Sequence, residues 1–297
     1  MRQDPKQAPS PIGVVYNTSM ARADAALALA ALYVASSRRE ARVNGVCVTG
    51  SGFDAAVFCD IVARFYTGTN RAPSSNVTLP IGFDAGAPTA SNPAMVEAVV
   101  KKMKADGQPE YVRAIQGVTD TAAPDALLRN AITLSAEAVV VLSAPATWLA
   151  RSLALTGSRE QYHQRVKRVV VVEGGDLERD TPAAKAFLSS LPIPAITVGP
   201  DVAQALTVPV ARIKGAFTWT PANPVADAVA ASGLSEVRLQ DVAALHYALY
   251  PDSGYFTVTG GRLQLEPSKR DACVDGLVAL ATAKPAAPPA RGGRGGV

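Results

Sequence analysis

The chain has 297 residues, of which 48% are hydrophobic and 18% are charged, and its formal net charge is +4. This is the composition of a globular protein that is long enough to bury a sizeable core. No apolar run reaches the roughly 18 residues that a membrane span needs, and no dense Lys/Arg cluster with interleaved aromatic residues indicates nucleic-acid binding. We therefore expect neither a membrane nor a nucleic acid as partner.

Apolar runs alternate with helix-like segments over the first two thirds of the chain. The predicted strands are 12–16, 43–49, 77–81, 138–142, 169–172 and 193–198. The predicted helices are 24–37, 54–66, 93–103, 124–134, 145–155 and 181–189. Such alternation predicts an α/β fold, a doubly wound and mostly parallel sheet that helices cover on both faces.

The last third of the chain has a different pattern. Helices are predicted at 225–232 and 239–250, and a small C-terminal β-hairpin at 255–265, where two glycines form a turn that tolerates positive φ. The segment 273–281 fits either a helix or a strand. We predict one domain over 11–282, a flexible tail over 1–10 and a disordered Pro/Gly/Arg tail over 283–297.

The three cysteines, Cys47, Cys59 and Cys273, are widely spaced. They form neither a metal-binding spacing nor an even disulfide set, so we expect buried free thiols. The first residues contain no apolar core of a signal peptide, which indicates a cytoplasmic protein, or a secreted one if a leader has been removed.

The turn after the first predicted strand is the first candidate site. It contains Asn17, Thr18 and Ser19, and Asp24 follows in the first helical turn, where the helix dipole favours an acid. Ligands of open α/β sheets bind outside the carboxyl ends of the strands. An acid at a helix start is equally an ordinary structural feature, so the spacing alone leaves both interpretations open.

The segment 12–29 resembles the opening motif of the inosine–uridine-preferring nucleoside hydrolases, a strand that ends in Asp-x-Asp-x-x-x-Asp-Asp. In that family the carboxylates bind calcium and activate the attacking water. Further family motifs are resembled, in the same order, by 144–150, 172–175, 180–184, 191–201 and 239–244. The resemblance covers about 11–280 and implies a Rossmann-like sheet of nucleoside hydrolase type.

The resemblance also assigns roles to individual positions of this chain. It places Ser19 at the general-base position and Gln240 at the leaving-group position; Asn17, Ala23, Ser51 and Glu173 at substrate-binding positions; and Asp24, Asp241 and the carbonyl of Ser143 at calcium-ligand positions. Most family carboxylates are therefore substituted. A neutral hydroxyl takes no proton near pH 7 without a partner base. Calcium prefers six to eight oxygen ligands with several carboxylates, so we expect weak Ca²⁺ binding at best.

Two functions from different classes follow from these substitutions. The first is a nucleoside N-ribohydrolase with weak or no activity. The second is a non-catalytic relative that binds a small nucleoside or ribose-like ligand, or a protein, in the old pocket; a homo-oligomer stays open. A remote third interpretation uses Gly50, Ser51 and Gly52, which fit a dinucleotide-binding Gly-x-Gly pattern but follow the second strand rather than the first.

Overall fold

The computed structural model describes residues 11–50, 52–68, 80–84, 93–174, 182, 191 and 193–287. Predictions for 1–10, 77–79 and 288–297, for Ser51, and for all of the predicted helix 181–189 except residue 182 lie outside the described residues. The strands are β1 (Ile12–Thr18), β2 (Ala41–Thr49), β3 (Ile81–Asp84), β4 (Ala138–Leu142), β5 (Val166–Val172), β6 (Ala195–Val198), β7 (Thr207–Pro209), β8 (Glu236–Arg238), β9 (Phe256–Thr259) and β10 (Arg262–Leu265). The helices are α1 (Ala23–Ser37), α2 (Asp54–Thr67), α3 (Pro93–Val100), α4 (Pro124–Ala131), α5 (Thr147–Ala154), α6 (Ser158–Arg165), α7 (Pro200–Ala205), α8 (Val210–Ala216), α9 (Pro224–Ala231), α10 (Gln240–Leu249) and α11 (Arg270–Thr282).

The main sheet confirms the predicted α/β architecture. Within the described residues its strand order is β3-β2-β1-β4-β5-β6-β10-β9, and every neighbouring pair is parallel except β9 with β10. The order reverses between β1 and β4, because β2 lies on one side of β1 and β4 on the other. In doubly wound sheets this switch point opens the crevice in which ligands bind.

Helices cover both faces of the sheet, as predicted. Along β1, Val14 and Tyr16 belong to one hydrophobic cluster and Val15 to the other, because successive strand residues point to opposite faces. Helices α4, α5 and α6 pack on the face of Val15, while the other long helices pack on the opposite face. Because β2, β1, β4 and β5 are parallel neighbours, their carboxyl ends lie along one edge of the sheet.

Helix α1 is the central element of the larger layer. All residues from Ala23 to Ala35 are buried, and the helix contacts α2, α9, α10 and α11. Its small alanine side chains allow these helices to approach closely. Because neighbouring helices and the sheet surround it, the helix has no polar stripe that faces solvent. The first turn of α1 thereby lies at the switch point of the sheet.

Several element boundaries differ from the predictions. Strand β3 begins at Ile81, which pairs with Val46 of β2, rather than ending there. The segment 273–281 is part of helix α11, and α6, α7, α8, β7 and β8 were not predicted. The hairpin turn has positive φ at Gly260 and Gly261, as expected, and β10 joins β6 in the main sheet.

Three smaller observations concern the cysteines, the chain after α11 and the lengths of the helices. The three cysteines are buried and free, as expected. After α11, the main-chain nitrogen of Ala286 donates to Ser37 Oγ at 2.8 Å. None of the described helices has the length and apolar character that a membrane crossing requires.

Candidate functional site

The turn between β1 and α1 is fixed by its own hydroxyl groups. Thr18 Oγ1 accepts a hydrogen bond from the main-chain nitrogen of Met20 at 3.0 Å, and Ser19 Oγ accepts one from Ala21 at 3.2 Å. Met20 is fully buried and has φ of 52°, a left-handed conformation that is uncommon for residues other than glycine. The turn therefore uses the hydroxyl oxygen of Ser19, at the predicted general-base position, as a structural acceptor.

Asn17 joins the ends of three strands. Its Nδ2 donates to Thr49 Oγ1 at 2.9 Å and to the carbonyl of Cys47 at 3.4 Å, both in β2. Its Oδ1 accepts from the nitrogen of Ala144, just after β4, at 3.1 Å. The side chain is fully buried, so its polar atoms serve the strand ends.

Two carboxylates, both predicted as metal ligands, meet beneath this turn. Asp24 lies in the first turn of α1 and Asp241 in the first turn of α10. Only 3% of Asp24 and none of Asp241 is exposed. Asp24 Oδ2 accepts a hydrogen bond from the main-chain nitrogen of Asp241 at 2.9 Å. The fold thus brings together two acids that are 217 positions apart in the sequence.

Arg22 bridges these two acids. Its Nη2 donates to Asp241 Oδ1 and, at 3.1 Å, to Ser143 Oγ, while its Nε lies 3.3 Å from Asp24 Oδ1. Ser143 Oγ donates to Asp241 Oδ1 at 2.7 Å, and Tyr16 donates to Oδ2 at 3.3 Å. Arg22 and Tyr16 were not among the predicted site residues. An available signal was a cationic residue inside a segment whose family pattern is acidic.

The electrostatics of the cluster follow from burial and from the close approach of the two acids. Burial, together with the Asp241 carboxylate, raises the pKa of Asp24, whereas the Arg22 guanidinium lowers that pKa. Burial raises the pKa of Tyr16 well above its ordinary value, so its phenol stays a neutral donor to Asp241. Arg22 therefore supplies the positive charge that favours the ionised form of Asp24.

A cavity of about 700 Å³ adjoins the bridged acids. Its lining includes Arg22, Asp24, Glu173, Arg238 and Gln240, so it draws on α1, α10, β8 and the residue that follows β5. Ligand pockets in proteins typically measure about 300–1,000 Å³. The cavity therefore has the size of a small-molecule site and a mostly apolar lining with a few charged groups, and it opens at the carboxyl edge of the sheet.

The remaining predicted site residues have different surroundings. Gln240 Nε2 donates to the carbonyls of Glu173 and Val198, each at 2.9 Å, and so links the ends of β5 and β6. The Glu173 carboxylate accepts two hydrogen bonds from Arg262 of β10, at 3.0 and 2.8 Å. Ala23 contributes its methyl group to the cavity wall. Ser51 lies outside the described residues.

The glycine pattern considered for dinucleotide binding lies in the β2–α2 loop. That loop is one strand away from the switch point, and Gly50 has φ of 75°. Asp84 is the nearest acid at a strand end, and its carboxylate forms an ion pair with Arg151, with Oδ2 at 2.7 Å from Nη2. The polar cluster at the switch point instead surrounds Arg22.

The donor set around Asp24 does not match what calcium requires. Among the described residues, no group of three or more His, Cys, Asp or Glu side chains is arranged to hold a metal ion. The two acids that the resemblance assigns to calcium both contact Arg22, and the Ser143 hydroxyl donates to one of them. Calcium prefers six to eight oxygen ligands, which this cluster could not provide while Arg22 occupies it.

Comparison with known proteins identifies the fold. No protein-family model and no curated protein matches the sequence. An inosine-uridine-preferring nucleoside hydrolase from Bacillus anthracis has a similar structure, with a TM-score of 0.63 at 12% identity over 91% of this chain and 99% of that one. A plant nucleoside hydrolase gives 0.59 at 13% identity, over 92% and 99%.

A third similar structure belongs to a different kind of protein. The type III effector protein XopQ, solved as a complex with adenosine diphosphate ribose, gives a TM-score of 0.59 at 15% identity over 94% of each chain. At such identities the similarity shows the fold alone. The chain has a nucleoside hydrolase-like fold.

Proposed function

We propose that the protein binds a ribose-containing small molecule in the cavity beside Arg22 and has little or no hydrolase activity. One observation carries the proposal: the polar groups at the predicted catalytic positions are engaged within the fold. Ser19 accepts a hydrogen bond within its own turn, and Gln240 donates to two main-chain carbonyls. Without a positioned general base, an enzyme of this kind loses on the order of 10²–10⁴-fold in rate.

The cavity supports the ligand class. Its lining combines two guanidinium groups, Arg22 and Arg238, with the Glu173 carboxylate and apolar side chains such as Ala203 and Val237. Ribose hydroxyls both donate and accept hydrogen bonds, so carboxylate and guanidinium groups can bind them together. Two of the similar structures are nucleoside hydrolases, and a third was solved with adenosine diphosphate ribose. Such a ligand is therefore the first class to test.

The decisive experiment measures binding and turnover on the same ligands. Ribose, inosine, uridine, adenosine and adenosine diphosphate ribose are titrated into the protein by calorimetry, and ribose release is measured with and without calcium. We expect at least one of these ligands to bind and none to release ribose at an enzymatic rate. Failure of all five to bind would overturn the proposal.

A pair of arginine variants locates the binding. Arg238 is exposed and lines the cavity, whereas Arg129 is exposed in α4, on the opposite face of the sheet. We expect Arg238→Ala to weaken ligand binding and Arg129→Ala to leave it unchanged. Equal effects of the two substitutions would mean that the ligand binds elsewhere.

The second candidate function is a residual N-ribohydrolase. It is favoured by Asp24, a carboxylate that reaches the cavity and whose pKa burial raises, as befits a proton acceptor. The ribose-release assay separates the two functions, because efficient turnover of any nucleoside would establish the hydrolase and contradict the binding-only proposal.

A further inference from the structure

We infer that Arg22 is the permanent cation of this site, and that its guanidinium does electrostatically what a divalent metal ion would do between Asp24 and Asp241. The inference is independent of the ligand proposed above, because it concerns how the site is held together before any ligand binds.

The two buried acids of the site need a counter-charge. Asp24 and Asp241 are almost completely buried and are in direct contact through the main-chain nitrogen of Asp241. Burying an ionised carboxylate is costly unless it is paired and hydrogen-bonded. Within the described residues, the cation that contacts both carboxylates is Arg22.

The geometry of the contacts lets one guanidinium bond both acids. A guanidinium presents several N–H donors in one plane and can therefore bond two acceptors at once. Arg22 uses Nε toward Asp24 Oδ1 and Nη2 toward Asp241 Oδ1, and Nη2 also donates to Ser143 Oγ. The same three side chains belong to the residues that sequence analysis assigned to calcium, although Ser143 was assigned there through its carbonyl.

Arg22 and a metal ion would compete for the same two acids. A calcium ion bound to the Asp24 and Asp241 carboxylates would lie close to the guanidinium, and like charges at such separations repel strongly in a buried site. Arg22 is 31% exposed on the cavity side, so its head can swing toward solvent only if it gives up both acids. The native chain should therefore bind divalent ions poorly, and removal of the guanidinium should create a metal site.

The test replaces Arg22 by Met, which keeps much of the aliphatic stem and removes the charge. Urea unfolding is followed with and without calcium, and terbium, which binds at calcium sites, is titrated as a luminescent probe. Tyr16 lies 3.3 Å from Asp241 Oδ2 and is placed to transfer excitation energy to a bound terbium ion. We expect R22M to unfold at lower urea than the native chain and to regain stability with calcium. Its terbium affinity should rise roughly tenfold or more, equivalent to about 1.4 kcal/mol.

A matched control uses a second arginine that also bridges two aspartates. Arg151 contacts Asp84 and Asp125 at 2.7 and 3.1 Å and is 45% exposed. We expect Arg151→Met to show no response to calcium and no gain in terbium affinity. Arg22→Lys, which retains the positive charge, should stay insensitive to calcium as well.

Two further variants keep the inference falsifiable if R22M folds poorly. Adding Asp24→Asn to R22M removes a buried acid that has lost its counter-charge, so it should restore stability without calcium. Adding Asp241→Asn to R22M should abolish the terbium signal. Calcium that stabilises the native chain as much as R22M would overturn the inference, and so would an R22M protein that neither loses stability nor binds terbium more tightly.

Discussion

Acidification should destabilise the protein through His246, a residue of α10 outside the candidate site. Its ring is 8% exposed and lies among Tyr250, Tyr255 and Phe256, with centroid distances of 5.1, 5.4 and 6.2 Å. Its Nδ1 has no hydrogen-bond partner among the described residues. Burial lowers the pKa of His246 from 6.5 to about 4, because the apolar surroundings disfavour the charged imidazolium.

The direction and size of the effect follow from this shift. Between pH 6.5 and about pH 4 the unfolded chain binds a proton at His246 that the folded chain does not bind. Stability is therefore fully present above the unfolded pKa, falls as the pH falls through this window, and levels off below the folded pKa. The whole shift is equivalent to about 3 kcal/mol, of which about 2 kcal/mol should be lost by pH 5.

The assay compares the native chain with His246→Phe, which keeps an aromatic ring in the same position and cannot titrate. The free energy of unfolding in urea is measured for both at about pH 7 and about pH 5. The native chain should lose about 2 kcal/mol more than the variant between these conditions. The raised pKa of Asp24 acts in the opposite direction, but both proteins contain Asp24, so the difference isolates His246. Equal losses in the two proteins would refute the reasoning.

Three further substitutions, and a fourth as a control, test the site and the sheet. Ser19→Asp alone should leave ribose release from inosine undetectable, because one restored carboxylate rebuilds neither the metal ligands nor the ribose contacts; a gain of about 100-fold would contradict this. Asn17→Asp should lower the free energy of unfolding in urea by about 2–4 kcal/mol, because a carboxylate oxygen would face the β2 carbonyl to which the amide now donates. Gly13→Ala should lower the free energy of unfolding by about 1–3 kcal/mol in the same assay, because its Cβ would lie 2.0 Å from Asn44 Nδ2. As a control, Gly52→Ala should change that free energy little, because no atom lies within 4 Å of the new Cβ.

The central strands could be predicted from the sequence because their residues leave few alternatives. Ala138–Leu142 is a continuous apolar run and is completely buried in β4. Such runs are typical of strands that helices cover on both sides. The predicted strands 43–49, 12–16, 138–142 and 169–172 correspond to β2, β1, β4 and β5, which are neighbours in the sheet. For these strands, the continuous apolar runs and their residue composition were sufficient to predict the secondary structure.

The short and polar elements could not be predicted in the same way. Helix α6 buries only Ser158 and Tyr162 and has no apolar stripe, so no periodicity marks it. Strands β7 and β8 are three residues long and pair with each other rather than with the main sheet. Their structure depends on tertiary contacts, which single-sequence patterns do not record.

The role of Arg22 was hidden for a related reason. From the sequence alone, Arg22 indicates only the approximate start of a helix. Its meaning depends on Asp241, which is 219 positions away, and on Ser143, which is 121 positions away. The resemblance pointed to Asp24 and Asp241 because both occupy motif positions, but it contained no motif position for the arginine that joins them.

The carboxyl edge of the sheet is held together by its own side chains. Asn17 links β1 to β2 and to the turn after β4, Gln240 links β5 to β6, and Arg22 links α1 to α10 and to Ser143. Because the groups that make these hydrogen bonds and ion pairs all belong to the chain itself, the cavity is formed without a ligand or a metal ion. A preorganised pocket loses less conformational entropy on binding, so these links are the feature of the edge that would favour binding of the proposed ribose-containing ligand.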